Sequence, residues 1–259
     1  MIISHRHRFI FIKTLKTAGT SIEVALARHC GPEDIITRIE PPVPEHRHQN
    51  DEGFYNHMSA ARIKAALPAS VWDGYYKLAF ERNPWDKLVS WYWFLKRKYN
   101  YSDSFRDFCV KGFLSGPDDL RDDFGVTAKV GAWLWWGVHQ PYPDLGLLGL
   151  LRRRLGGTED FQGFPMDFDR YSIDGRIAVD TVGRYEDLGG EFRRICTRIG
   201  LPDDLELPVE KGSTRRDATP YCSYYDDHLA ELVARRFRRE IAAFGYRLTG
   251  VGDVGPQIV

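Results

Sequence analysis

The sequence has few cysteines, no long apolar run and no excess of charge of either sign. Its four cysteines lie far apart and form no CxxC pair, which argues against a zinc site and favours reduced thiols; they are Cys30, Cys109, Cys196 and Cys222. Lys plus Arg and Asp plus Glu each number 36. No bulk attraction to nucleic acid or to an anionic membrane is therefore expected, and any anion site must be built locally.

No stretch approaches the roughly 20 consecutive apolar residues that span a bilayer. The first ten residues also lack the apolar stretch and cleavage site of a signal peptide. We therefore expect a cytoplasmic protein with no integral membrane segment, and the sequence leaves the oligomeric state open. A chain of 259 residues with 43% hydrophobic content can bury one substantial core. We predict a single domain over residues 1–250 and a flexible tail at 251–259.

Strand and helix patterns alternate along the chain. Apolar, β-favouring runs predict strands at residues 9–12, 75–80 and 176–182. Helical spacing predicts helices after the capping residues Ser59, Asn83 and Asp226, and further helices at 22–29, 105–113, around Trp133 and at 192–199. Residues 40–56 and 141–174 are rich in loop-forming residues. The alternation predicts an α/β fold with a parallel sheet covered on both faces.

A polar segment joins the first predicted strand to the first predicted helix: Lys16-Thr17-Ala18-Gly19-Thr20-Ser21. At a helix N-terminus, unpaired backbone N–H groups and the helix dipole favour an anion. Gly19 permits close backbone approach, the hydroxyl groups are donors, and Lys16 adds a mobile positive charge. The alternative interpretation is an ordinary polar turn that caps a helix.

A nucleotide triphosphate site is the obvious rival. An ATP-binding P-loop requires the pattern GxxxxGK[ST], and Leu15 precedes Lys16 where that pattern needs glycine. A magnesium-dependent enzyme also needs an acidic residue at a strand end, and Asp180 follows the apolar residues 177–179. This alternative stays open at the level of the sequence.

A second strand-to-helix junction carries Arg82, Asn83 and Pro84. Arg82 leaves the strand where ligands bind in open α/β sheets, and its guanidinium can hold a phosphate through two N–H groups. Ser90 lies two turns along the predicted helix and is a further donor. In the alternative interpretation Arg82 pairs with Glu81 or Asp86, and Ser90 belongs to the surface.

In this order, the two junctions resemble the nucleotide site of PAPS-dependent sulfotransferases, in the branch that contains many carbohydrate sulfotransferases. Residues 16–22 look like the 5′-phosphosulfate loop, although Leu15 replaces the usual Pro. Residues 76–90 look like the 3′-phosphate motif, although Glu81 replaces an apolar residue. Residues 180–188 are similar to the family's Arg-Tyr-Glu-x-Leu segment. Residues 211–216 are similar to its C-terminal nucleotide loop, where the resemblance implies lesser contacts from Ser213 and Arg215.

The resemblance implies a P-loop-NTPase-like three-layer fold with a central, mainly parallel sheet flanked by helices. It implies transfer of a sulfuryl group from 3′-phosphoadenosine 5′-phosphosulfate (PAPS) to a hydroxyl or amine of a small-molecule or glycan acceptor, without a metal. Lys16 would stabilise the transition state.

An acceptor hydroxyl also needs a base, and His57 is the candidate; the reserves are His46, His48, His139 and Glu23. His57 has an alternative interpretation as a helix-flanking histidine. A magnesium-dependent kinase or NTPase, and a non-catalytic nucleotide-binding module, are the alternative functions.

Overall fold

The computed structural model describes residues 1–114, 165–208 and 219–248. The chain divides into two compact units. The first comprises residues 1–83 and 166–208 of the described chain, and the second comprises residues 84–114, 165 and 219–248. Whether residues 1–250 fold as one domain stays a prediction, and the tail at 251–259 lies outside the described residues.

A five-stranded sheet forms the centre of the first unit, in the order β3-β1-β2-β4-β7. Its strands are β1 (Ile2–Ser4), β2 (Phe9–Phe11), β3 (Ile35–Ile36), β4 (Tyr76–Glu81) and β7 (Thr181–Arg184). β2, β4 and β7 run parallel, whereas β1 is antiparallel to both β2 and β3. Four of the five strands therefore point the same way. A separate two-stranded hairpin pairs β5 (Ser172–Ile173) with β6 (Arg176–Ile177).

Five helices accompany the sheet in the described part of the first unit. They are α1 (Gly19–Ala27), α2 (Ala60–Ala66), α3 (Ala69–Gly74), α6 (Phe168–Tyr171) and α7 (Leu188–Arg198). A 3₁₀ turn, Tyr185–Asp187, connects β7 to α7, and Asp187 caps α7 by accepting from the Gly190 N–H group.

Helices cover both faces of the sheet. On one face, apolar side chains of α1 and α7 pack on those of the strands around the buried rings of Phe11 and Phe80. Lys77 and Glu81 of β4 point to the other face, because side chains alternate along a strand. There Lys77 contacts Trp72 of α3, and Glu81 accepts a hydrogen bond from Tyr171 of α6. This arrangement confirms the predicted three-layer α/β fold with a mainly parallel sheet flanked by helices.

The second unit is helical in its described part. It contains α4 (Pro84–Tyr99), α5 (Phe105–Leu114), a 3₁₀ turn (Tyr221–Tyr224), α8 (Asp227–Arg236) and α9 (Arg238–Phe244). Tyr92 of α4 packs edge-on against Phe105, and the Tyr225 hydroxyl donates to the carbonyl of Trp85. Among the helices of the described residues, none has both the length and the apolar character of a membrane span.

The observed elements depart from the sequence prediction in five places. β1 and β3 were not predicted, nor was α3. The strand expected at 176–182 is divided into β6 and β7 by the residues around Asp180. The helix expected over 229–244 breaks at Phe237, where φ is −101° and ψ is 28°, and the Phe237 side chain is buried at that break. The cap predicted at Asp226 is confirmed, since its carboxylate accepts from the Leu229 N–H group at 2.8 Å. The helix expected around Trp133 lies outside the described residues.

Candidate functional site

Three neighbouring parallel strands end at the same edge of the sheet. β2 leads into the loop that carries Lys16, β4 leads into Arg82, and β7 leads into Tyr185. The carboxyl edge of a parallel sheet is where open α/β folds bind ligands. Both predicted nucleotide junctions of the first unit therefore lie at the edge where the fold places a site.

The backbone of the Lys16 loop is strained. Lys16 and Ala18 have φ values of 60° and 58°, in the left-handed region that residues other than glycine rarely adopt. Ala18 is the N-cap of α1, and its methyl group cannot cap the helix. Strain of this kind persists only where the surroundings enforce it, and it is concentrated at ligand-binding sites. The loop thus places an enforced backbone at the N-terminus of α1.

The loop side chains divide into buried and half-buried positions. Lys16, Ala18 and Thr20 are half-buried, whereas Thr17 and Ser21 are buried. The Thr17 hydroxyl lies 2.8 Å from the Thr14 hydroxyl, which itself donates to the carbonyl of Phe80 at 2.5 Å. Thr14 thus fastens the loop to β4, Thr17 bonds to Thr14, and the contact of Thr17 with an anion stays a prediction.

The packing of a protein side chain leaves no room for a Cβ atom at position 19. A Cβ atom at this position would lie 2.8 Å from Cγ of Lys13 and 3.3 Å from the carbonyl oxygen of Thr14. The Lys13 stem cannot move aside easily, because its ammonium group donates to the buried Glu23 carboxylate at 2.6 Å. The loop and the first turn of α1 are therefore packed around the Lys13 side chain.

Arg82 links the two predicted junctions. Its Nη1 atom donates to the carbonyl oxygen of Lys16 at 3.0 Å. Its guanidinium carbon lies 4.0 Å from the centroid of the Tyr185 ring, so the group stacks on that ring. The structure thus brings Lys16 and Arg82 together, as the sequence predicted, and adds Tyr185 as a support beneath the guanidinium.

The residues around Arg82 are held by buried hydrogen bonds. The side chain of Glu81 is buried and accepts from the Tyr171 hydroxyl at 2.9 Å and from the Arg82 N–H group at 2.8 Å. The carboxylate of Glu186 accepts from the Asn83 N–H group at 2.6 Å. The Glu186 contact ties the end of β4 to the turn that follows β7, and the Tyr171 contact ties it to α6. The two donors to Glu81 stabilise its buried carboxylate within the protein.

His57 lies beside the start of the Lys16 loop. Its Nδ1 atom is 3.1 Å from the carbonyl oxygen of Lys13. Because a carbonyl only accepts, Nδ1 must carry the proton, and the lone pair of the neutral ring resides on Nε2. Burial, reinforced by the charges of Lys13 and Arg170, holds the pKa of His57 well below its ordinary value of 6.5. His57 is therefore neutral at pH 7, with its basic nitrogen on Nε2.

The reserve bases are less suitable. The Glu23 carboxylate is fully buried. Burial by itself would raise the pKa of Glu23, but the ammonium groups of Met1 and Lys13 outweigh that cost and hold it well below its ordinary value. His46 is buried with its Nε2 atom 3.7 Å from the same carboxylate. His48 lies 3.4 Å from Asp51 at the surface. His139 lies outside the described residues.

Asp180 stands at the opposite edge of the sheet from Lys16. It immediately precedes β7, and its carboxylate accepts from the backbone N–H group of Lys77 at 2.7 Å and pairs with the Lys77 ammonium group at 2.9 Å. The acidic residue that a magnesium nucleotide site requires would instead follow a strand at the carboxyl edge. The hypothesis that Asp180 serves such a site is wrong. Among residues 1–114, 165–208 and 219–248, no group of three or more His, Cys, Asp or Glu side chains is arranged to hold a metal ion.

Three predicted contacts are not joined to this site by the structure. Ser90 is half-buried on α4, in the second unit, and its contact with the nucleotide stays a prediction. Ser213 and Arg215 lie outside the described residues.

Two residues that sequence reasoning missed contact the site directly. Asp167 accepts from the Leu15 N–H group at 3.0 Å, and Arg170 donates to the carbonyl oxygen of His57. Tyr185 falls within the Arg-Tyr-Glu segment that carried the resemblance, so a signal for it existed. Asp167 and Arg170 fall in the segment predicted to be loop-rich, which gave no such signal.

The chain has low sequence identity to the known proteins that it matches. No known protein-family model matches the chain. An uncharacterized protein from Archaeoglobus fulgidus is 26% identical over 153 residues, which are 59% of this chain and 90% of the relative. A crystal structure of a sulfotransferase from Alicyclobacillus acidocaldarius covers 93% of this chain and 96% of its own, with 18% identity and a TM-score of 0.36.

Proposed function

We propose that this protein is a sulfotransferase that moves a sulfuryl group from PAPS to a hydroxyl or amine of an acceptor. One observation carries the proposal. The guanidinium of Arg82 donates to the carbonyl of Lys16, so the two junctions that resemble the 5′-phosphosulfate loop and the 3′-phosphate motif meet at one edge of the sheet.

The residues at this edge fit a nucleotide with charged groups at two positions. The left-handed residues Lys16 and Ala18 and the first amides of α1 suit the 5′-phosphosulfate. Arg82, stacked on Tyr185, suits the 3′-phosphate, because a guanidinium of fixed orientation binds phosphate through parallel N–H groups. The acceptor is proposed to be a carbohydrate or glycoconjugate from the family resemblance alone.

The chemistry requires little else of the protein. PAPS supplies an activated sulfuryl group and a stable leaving group when it is bound. Lys16 and the loop amides stabilise the negative charge that develops on the bridging oxygen during transfer. The His57 Nε2 atom takes the proton from the acceptor hydroxyl, while the Lys13 carbonyl keeps the ring in the required tautomer.

A thermal-shift comparison separates this function from its rival. Adenosine 3′,5′-bisphosphate should raise the melting temperature without any added metal, because the proposed site binds both charged ends with protein groups. Stabilisation by ATP with magnesium, and not by adenosine 3′,5′-bisphosphate, would instead support a magnesium-dependent NTPase. The position of Asp180, paired with Lys77 at the far edge, disfavours that second function.

Catalysis is tested with sulfate-labelled PAPS and a panel of carbohydrate and small phenolic acceptors. Label should appear on at least one acceptor, and His57→Ala should lower turnover by about 10²- to 10⁴-fold while nucleotide affinity is kept. Nucleotide binding without transfer to any acceptor would support the non-catalytic binding module. Near-normal turnover of His57→Ala would remove this residue as the base.

A further inference from the structure

A buried ion pair lies behind the candidate site. Asp167 is fully buried and Arg170 nearly so, and the Arg170 Nε atom donates to Asp167 Oδ1 at 2.7 Å. Asp167 stands at the N-cap of α6 but does not cap it with its side chain. The side chains of the pair instead contact backbone groups outside α6.

Each partner of the pair reaches the backbone of one segment of the site. Asp167 Oδ2 accepts from the N–H group of Leu15, the residue before Lys16. Arg170 Nη1 donates to the carbonyl oxygen of His57. One short helix thus holds the anion loop with one residue and the candidate base with the other.

Both held segments have strained backbone at the contact. Lys16 and His57 have φ values of 60° and 63°, and neither is glycine. Such conformations persist only when neighbouring groups fix them. A buried ion pair is costly to desolvate, and this pair offsets part of that cost through its hydrogen bonds to two strained segments.

We infer that Asp167 and Arg170 are positioning residues, which set the anion loop and the His57 ring relative to each other for the transfer reaction. This inference rests on the proposed function. Asp167 acts through the loop and therefore on nucleotide affinity, whereas Arg170 acts through His57 and therefore on turnover. Neither side chain needs to touch the substrate.

Hydrogen exchange tests the structural half of the inference without any substrate. Arg170→Lys keeps the charge that neutralises Asp167 but cannot reach both partners with the same geometry. It should speed amide exchange over residues 55–59, and Asp167→Asn should speed it over residues 14–18. The matched controls are Asp174→Asn and Arg176→Lys, both at exposed positions in the following hairpin. Exchange that is unchanged in both variants, or equally faster in the controls, would overturn the inference.

Kinetics test the functional half. Arg170→Lys should lower turnover by about 10- to 100-fold with affinity for adenosine 3′,5′-bisphosphate within about twofold, since small misplacements cost rate. In a His57→Ala background the same substitution should cost less than about twofold, because its effect passes through His57. A loss as large as in the wild-type background would overturn the assignment of Arg170. Asp167→Asn should weaken the nucleotide, and unchanged affinity would overturn the assignment of Asp167.

The two proposals fail in different ways. If the wild-type protein neither binds adenosine 3′,5′-bisphosphate nor transfers sulfate, the proposed function fails, and the exchange experiment still decides whether the pair holds both segments. If the wild-type protein is active and the variants match their controls, the positioning role fails alone. If Asp167→Asn does not fold, the double variant Asp167→Asn with Arg170→Gln is used in its place, because it removes both charges of the pair together.

Discussion

Replacing Gly19 by alanine is expected to damage both the fold and the candidate site. The new Cβ atom would meet Lys13 Cγ at 2.8 Å and Lys13 Cε at 3.2 Å. Lys13 cannot rotate away without losing the hydrogen bond that its ammonium group donates to the buried Glu23 carboxylate at 2.6 Å. Overpacking of this kind costs about 1–3 kcal/mol, and the better helix propensity of alanine returns at most about 1 kcal/mol.

The net loss should therefore be about 1–2 kcal/mol, which lowers the melting temperature by about 2–8 °C for a chain of this size. The matched control is Gly189→Ala in the first turn of α7, where an added Cβ has no atom within 4 Å. That variant should gain up to about 1 kcal/mol from helix propensity alone. Calorimetry of the wild-type protein and the two variants checks whether the melting temperature falls in Gly19→Ala and rises in Gly189→Ala. A Gly19→Ala protein as stable as Gly189→Ala would refute the packing of Lys13 against the loop.

Three further predictions concern the site. Tyr185→Leu should weaken the binding of adenosine 3′,5′-bisphosphate by about 2- to 5-fold, since it removes a stacking contact of about 0.5–1 kcal/mol beneath Arg82. Tyr185→Phe should bind this ligand normally. Equal losses of affinity in the two variants, measured by titration, would argue against stacking. Lys16→Ala should lower turnover by about 10²- to 10³-fold and affect nucleotide affinity much less, as steady-state kinetics beside binding will test. The wild-type protein should lose stability relative to His57→Gln as pH falls below 6.5, because His57 is protonated in the unfolded chain but not in the folded chain. If the difference in unfolding free energy between the two proteins stays constant down to pH 5, the low pKa of His57 is contradicted.

The elements that sequence analysis predicted correctly are those with a local cause. β2 is a run of buried apolar residues, β4 has a buried apolar centre at Leu78–Phe80, and α4 begins at Pro84, which favours the first helical position. β1 escaped prediction because its turn to β2 has no glycine or asparagine; Arg8 takes the left-handed position instead, with a φ value of 55°. A pattern that depends on usual turn residues cannot detect such a hairpin.

The site residues also divide into those with a local cause in the sequence and those placed by distant contacts. Lys16 and Arg82 were found because their neighbours in sequence carry the motif. Asp167 was missed because its partner Leu15 is 152 residues away, and the local sequence around it has no strand or helix pattern. The tautomer of His57 was equally out of reach, since it is fixed by the carbonyl of Lys13, 44 residues earlier.

The central claim is that Lys16 and Arg82 hold opposite ends of one nucleotide. Titration of wild-type and Arg82→Ala protein with adenosine 3′,5′-bisphosphate and with adenosine 5′-monophosphate tests it directly, since only the first ligand has a 3′-phosphate. We predict that Arg82→Ala weakens the bisphosphate by about 10- to 100-fold, the equivalent of a lost charged hydrogen bond, and weakens the monophosphate much less, through the lost hydrogen bond to the Lys16 carbonyl alone. Equal weakening of both ligands, or no binding of either by the wild-type protein, would contradict the account.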